Sequence, residues 1–131
     1  MDLEKIKSKI KYRDKRPLGI KEKYSVLIPV IKINDQLNLL FEMRSEDLGT
    51  QPGEISFPGG KIEDGETPKE AALRETMEEL RIPKGKIDMI GDLDYLISPY
   101  NVLIYSYAGF LDIKDLKYIN FNEKEVQEVI K

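Results

Sequence analysis

The chain of 131 residues contains neither cysteine nor histidine. Without cysteine there is no disulfide framework, no thiol nucleophile and no thiolate zinc site. Without histidine there is no Ser-His-Asp triad and no imidazole ligand. Any catalysis must therefore rest on carboxylates, Lys, Arg, Tyr or a bound metal, and a carboxylate-only centre prefers hard cations, Mg²⁺ or Mn²⁺. No apolar run is long enough to span a bilayer, and no signal-peptide pattern opens the chain, because residues 1–16 are charged throughout. These absences predict a cytoplasmic protein with no membrane partner. A basic excess is missing too: 21 Lys and Arg stand against 24 Asp and Glu, a net charge of −3, which argues against a general nucleic-acid binder. A chain of this length is expected to form one domain around a single core.

What is present is concentrated in one stretch. Phe57-Pro58-Gly59-Gly60-Lys61-Ile62-Glu63-Asp64-Gly65-Glu66 runs directly into a segment that starts Thr67-Pro68-Lys69-Glu70. That start is a capping box: the Thr67 hydroxyl can accept from the Glu70 N–H while Glu70 reaches back. Pro68 falls at the first helical position, where its missing N–H costs nothing. Pro83 stops the helix near residues 80–82. Glu75, Glu78 and Glu79 are spaced i, i+3 and i+4 and share a face. Like charges at that spacing cost roughly 0.2–0.5 kcal/mol per pair, a term that a cation between them would reverse. Ala72, Leu73, Thr76, Met77 and Leu80 are expected to pack on a sheet. An acidic helix face also arises as a solvated surface tied by Glu70–Arg74 and Arg74–Glu78 pairs. The glycine-rich turn and the fixed spacing ahead of the glutamates favour the cation site.

The rest of the chain is built around that helix. Residues 2–16 read as a short amphipathic helix with Leu3, Ile6 and Ile10 on one stripe and a lysine-rich surface. Residues 24–33 read as a buried strand in which Pro29 suggests an edge or a bulge. A turn at Asn34-Asp35-Gln36 returns into a second strand over 37–44, giving a hairpin. A polar loop follows, and then a short strand over 54–57 that delivers the glycine turn. Residues 87–97 read as a strand broken at Gly91, Ser98-Pro99-Tyr100-Asn101 as a turn, and 102–111 as a Tyr-rich apolar strand. Residues 112–122 read as a loop and 123–130 as a closing apolar-acidic segment. Alternating strands around a central helix, with helical pieces at the two ends, predict an α/β or α+β sandwich on a mixed sheet.

Taken together, Gly60, five residues, Glu66, seven residues and then Arg74-Glu75-Thr76-Met77-Glu78-Glu79 resembles the Nudix box, a far more specific signal than an isolated glycine motif. Thr76 stands where the family has an aliphatic residue, and Arg81 where it has a glycine before Ile82. The resemblance covers about residues 24–131, with residues 1–23 as a basic helix and loop ahead of it, and implies an α/β/α sandwich on a mixed β-sheet. It implies a Mg²⁺- or Mn²⁺-dependent hydrolase that splits a nucleoside diphosphate linked to another moiety. By position, Glu75, Glu78 and Glu79 resemble the family's metal-binding and water-activating glutamates, and the Gly59 carbonyl resembles its main-chain metal ligand. Glu66 and Arg74 look like the residues that fix loop to helix. Nudix enzymes often recruit a further acid from a distal segment, for which Glu123, Glu125 and Glu128 are candidates alongside Glu75 as general base.

The stretch before the box is similar to the extended motif of coenzyme A pyrophosphatases, with Arg44, Ser45, Gly53 and Phe57 matching. Gly49 and Thr50 stand where an arginine is expected. This resemblance implies a nucleotide-type small molecule as substrate, CoA or a CoA ester, with Arg44, Ser45 and Gly60 contacting it. The alternatives are a pyrophosphatase acting on ADP-ribose, NADH or another nucleotide, and a non-catalytic nucleotide-binding module. Nudix-like domains commonly continue past the point where this sequence ends. Either further chain or a partner, such as a second copy in a homodimer, is therefore expected to cover one sheet face.

Overall fold

The Val/Ile-rich segment forms β1 (Glu22–Ile33), the central strand of a six-stranded mixed sheet. The computed structural model describes residues 2–13, 19–45, 53–119 and 126–130, the last of these as backbone. Along one side β1 pairs in parallel with β8 (Val102–Leu111), from Glu22↔Val102 to Val30↔Phe110. Along its other side it pairs antiparallel first with β5 (Gly59–Lys61) and then with β2 (Gln36–Leu39). Pro29 is therefore not at an edge. It falls at the changeover between those two partners: the Leu27 N–H donates to the Pro58 carbonyl, and the Pro29 carbonyl accepts from Leu40. Its missing donor thus falls where neither strand ladder needs one.

The hairpin after β1 turns through Asn34 and Asp35, both at positive φ, as a tight two-residue turn demands. The returning strand expected over 37–44 is in fact two. Leu40 turns inward to 1% exposure, and the chain leaves the large sheet to form β3 (Phe41–Arg44). β3 is the middle strand of a second, antiparallel sheet between β4 (Ile55–Ser56) and β9 (Val126–Ile130). The chain's closing segment is thus a strand, where a helical piece was expected. Gly59-Gly60-Lys61, expected as part of a turn, also forms a strand.

On the far side of β8 lie β6 (Ile87–Asp92) and β7 (Leu96–Ile97), with a register shift between Met89 and Gly91 at the expected break. The α/β architecture on a mixed sheet is as expected. The main helix, α2 (Pro68–Leu80), covers the face of the sheet that carries Leu27, Ile31 and Leu111. Ala72 and Leu80 from α2, with Leu40, Ile82 and Ile119, complete the core. The opposite face of β1 presents Tyr24, Val26, Ile28 and Val30, all half-buried. A short helix, α1 (Leu3–Lys11), precedes the domain and buries none of its residues. Among the described residues no helix is long and apolar enough to cross a membrane.

Candidate functional site

α2 begins as its sequence dictates. The Thr67 hydroxyl accepts from the Glu70 N–H at 3.1 Å, and Glu70 accepts in return from the Thr67 N–H at 3.4 Å. The Ser25 hydroxyl, buried in β1, donates to the Pro68 carbonyl at 2.6 Å and fixes the helix start against the sheet. Beside it, the glycine segment runs as β5 so close to α2 and β1 that side chains have no room. A Cβ on Gly60 would stand 2.5 Å from the Glu75 carboxyl carbon, and one on Gly59 would stand 2.5 Å from the Ser25 carbonyl oxygen. Two glycines are needed here for space rather than for flexibility.

Arg74 joins this loop to the helix. It donates to Glu66 through Nε at 2.7 Å and Nη2 at 3.1 Å, to Glu75 through Nη1 at 2.8 Å, and to the Lys61 carbonyl at 3.1 Å. Glu78 Oε2 and Glu63 Oε1 stand 3.4 and 3.8 Å from the same guanidinium. Glu66 accepts in addition from the Glu63 N–H at 3.0 Å. The Arg74 hydrogen bonds hold the Glu66 carboxyl below its ordinary pKa and push Arg74 upward.

The three helix glutamates are not equivalent. Glu78 is half-exposed and held by Arg74, and the Glu75 side chain is 14% exposed. Glu79 is turned inward at 3% exposure, on the buried stripe with Ala72, Thr76 and Leu80. Its Oε2 accepts from the Gly59 N–H at 3.2 Å, and its carboxyl is hydrogen-bonded to that of Glu42, itself 2% exposed on β3. Burial first, and then the Glu42 carboxyl, push the Glu79 pKa far above the carboxylate range, and Glu75 adds to the rise. The like-charge repulsion expected on this face is thus reduced in two ways: Arg74 offsets part of the charge of Glu75 and Glu78, and the raised Glu79 pKa favours a proton that leaves the Glu42–Glu79 pair with one charge instead of two.

A cleft of about 730 Å³ opens beside this array. Its lining includes Arg44, Phe57, Gly59, Gly60, Glu75 and Glu79, then Tyr24 and Val26 of β1, Val102 and Ile104 of β8, and Ser98, Pro99 and Tyr100. Because β5 with its glycines pairs with one side of β1 and β8 with the other, the glycine segment and the turn leading into β8 stand on opposite sides of β1. Of the residues predicted from sequence, Arg44, Gly59, Gly60, Glu75 and Glu79 therefore share one cavity. Glu66, Arg74 and Glu78 do not line it, although Arg74 bonds Glu75, which does, and Ser45 is buried at 5% exposure and does not line it either. Among the described residues no three acidic side chains stand together so as to hold a metal ion. What fits a hard cation is the pair Glu75 and Glu79 with Gly59 adjoining them, an all-oxygen donor set. Glu123 and Glu125 lie outside the described residues, as does the side chain of Glu128.

Sequence reasoning missed Glu42, Tyr24 and Tyr100. Glu42 carried a signal: it is two residues from Leu40, so strand alternation puts both on the buried side.

The NUDIX domain family matches residues 21–129. Mouse (Mus musculus) peroxisomal coenzyme A diphosphatase NUDT7 is 36% identical over 91 residues, covering 69% of this chain and 39% of the mouse protein. Nudix hydrolase 3 of Caenorhabditis elegans is 37% identical over 109 residues, covering 80% of this chain and 45% of the relative. The chain thus spans less than half the length of either. Among solved structures, a binary complex of C. elegans Ap4A hydrolase superposes with a TM-score of 0.67 at 20% identity, covering 82% of this chain and 76% of that one, which establishes a shared fold.

Proposed function

Because the chain belongs to the NUDIX family, we propose that it is a divalent-cation-dependent pyrophosphohydrolase that splits a nucleoside diphosphate linked to another moiety, with CoA or a CoA ester as substrate. The observation that carries this reading is a cleft whose lining includes Arg44, Gly59, Gly60, Glu75 and Glu79 together. Glu75, Glu78 and Glu79, with the Gly59 carbonyl, would hold Mg²⁺ or Mn²⁺. Such a cation supplies charge neutralisation for the diphosphate and acidifies a bound water.

The chain's own residues do the rest. Arg74 fixes the Glu75 carboxyl and the 61–66 loop to one another, so the glutamate is oriented before substrate arrives. The Gly59 N–H and Glu42 orient Glu79 from two sides. A cleft carboxylate, Glu75 in this reading, accepts the proton of the attacking water. Arg44 at the cleft wall grips phosphate with its planar fork.

The CoA assignment is supported by the stretch from Arg44 to Phe57 and by the 36% identity with a coenzyme A diphosphatase. The test is hydrolysis of CoA, ADP-ribose, NADH and diadenosine polyphosphates with Mg²⁺ or Mn²⁺. CoA should give the highest kcat/KM, and Arg44→Ala should weaken CoA more than 3′-dephospho-CoA, by roughly 1–3 kcal/mol for a lost charged hydrogen bond. A higher kcat/KM for another member of this panel overturns the substrate but keeps the reaction. No hydrolysis of any member overturns the reaction and leaves a nucleotide-binding module.

A further inference from the structure

The side of the cleft across β1 from the carboxylates is built differently, and its most prominent side chain lies in solvent. Tyr100 is 81% exposed, the most exposed large hydrophobic side chain among the described residues. An aromatic ring left in water forgoes the burial that ordinarily makes such a residue stabilising. Its backbone, by contrast, is tightly specified. Ser98 Oγ accepts from the N–H groups of Tyr100 at 3.2 Å and Val102 at 3.3 Å. The Ser98 carbonyl accepts from Asn101 at 3.1 Å, and the Ser98 N–H donates to Val102 at 2.8 Å. Pro99 has its φ locked by its ring, and Asn101 takes a positive φ of 62°. A rigid turn therefore presents an unpacked aromatic residue at the rim of a cavity.

The cavity has two chemically distinct ends. Glu75 and Glu79 adjoin Gly60 and Gly59 on one side of β1, with Arg44 lining the same cavity, and Val26 of β1 with Val102 and Ile104 of β8 continue the lining toward the turn that carries the tyrosine. A molecule that fills both ends is anionic at the one where Arg44 and a cation held by the glutamates would meet it, and planar and apolar at the other. A ring held ready on a stiff turn loses little entropy when a flat ligand stacks on it.

Resting on the reading of the cleft as a nucleotide-hydrolase site, we propose that Tyr100 is a specificity-determining residue that stacks on the base of the nucleotide whose phosphates lie at the Arg44 end. Stacking a base on an aromatic side chain is strong enough that its loss reduces affinity by about tenfold.

The experiment compares wild type with Tyr100→Ala, Tyr100→Phe and Tyr100→Leu. For whichever nucleotide is hydrolysed, Tyr100→Ala and Tyr100→Leu should raise KM about tenfold with kcat within about twofold, and Tyr100→Phe should restore the wild-type KM. Turnover-independent binding is read by calorimetric titration with AMP and with ribose 5-phosphate, which lacks a base. Wild type should favour AMP, and Tyr100→Ala should remove the preference. If no nucleotide is hydrolysed, the catalytic reading fails while the AMP preference still decides the stacking. If hydrolysis proceeds with unchanged KM in Tyr100→Ala, or AMP and ribose 5-phosphate bind wild type equally, the stacking role is overturned. Because the residue is 81% exposed, circular dichroism melts of all three variants should match wild type, and a large loss of stability would assign Tyr100 to the fold instead.

Discussion

Glu79→Gln should make the metal-free protein indifferent to pH over a range where the wild type loses stability steeply. Glu79 is 3% exposed, hydrogen-bonded to the carboxyl of Glu42, and has its folded-state pKa raised by burial and by that neighbour. The sign follows from proton counting. Above the ordinary carboxylate pKa the unfolded chain has released this proton while the folded chain keeps it, so unfolding releases a proton and stability falls as pH rises. The contribution is fully present below the unfolded pKa and is lost progressively on the way to the raised folded value. One proton corresponds to a slope of at most about 1.4 kcal/mol per pH unit, hence at most roughly 3 kcal/mol between pH 6 and pH 8. For a chain of this size that lowers the melting temperature by at most about 8–16 °C. The window is unusually clean, because with no His and no Cys only the terminal amine has an ordinary pKa there. The glutamine keeps the shape, accepts from Gly59 and donates to Glu42 without a titrating proton. The assay is thermal unfolding in EDTA at pH 6, 7 and 8. Added Mg²⁺ or Mn²⁺ should restore the wild-type melting temperature at pH 8, where ionised carboxylates bind it best, and should do little for the variant. A wild-type melting temperature independent of pH in EDTA, or an equal slope in the glutamine variant, would refute the retained proton.

Adjacent glycines should behave oppositely. Alanine at Gly60 meets only the far end of Glu75, so Gly60→Ala should cost under about 1 kcal/mol of stability yet lower kcat at least tenfold by displacing that carboxyl. Alanine at Gly59 meets the backbone of Ser25 and Val26, so Gly59→Ala should cost about 2–3 kcal/mol in a urea melt. Arg81 caps α2 in the left-handed conformation at φ 53°, so Arg81→Gly should raise stability by up to about 1 kcal/mol, and a loss would show that its side chain compensates the backbone.

Where local chemistry alone decides the conformation, the sequence was legible. The Thr67–Glu70 box, Pro68 and the Ser98–Asn101 turn all form as their residues dictate, because each is satisfied within four positions. Arg81 extends the same point. The family pattern has glycine there because the position needs positive φ, and the backbone keeps that geometry although the residue is arginine. Thr76, the other departure, is accommodated at 0% exposure by donating its hydroxyl back to the Ala72 carbonyl at 2.8 Å.

The features missed are those decided between distant segments. Gly59-Gly60-Lys61 has poor strand propensity and forms a strand only because β1 supplies an open edge beside Val26. The split of residues 36–44 between two sheets depends on β9 arriving more than eighty positions later to pair with Phe41 and Glu42. Glu79 shows how near the two kinds of information come. Counting the helix from Ala72 gives Thr76, Glu79 and Leu80 at i+4, i+7 and i+8, which already sets one glutamate on the buried stripe. Grouping it with Glu75 and Glu78 by charge concealed that assignment. A carboxylate on a buried stripe requires a partner, and the strand alternation of Leu40 and Glu42 offered one. That the two meet could come only from the tertiary structure. It makes the acidic helix two devices rather than one: an arginine-clamped pair at the surface and a proton-sharing pair beneath it, with Glu79 belonging to the buried pair and opening onto the cleft.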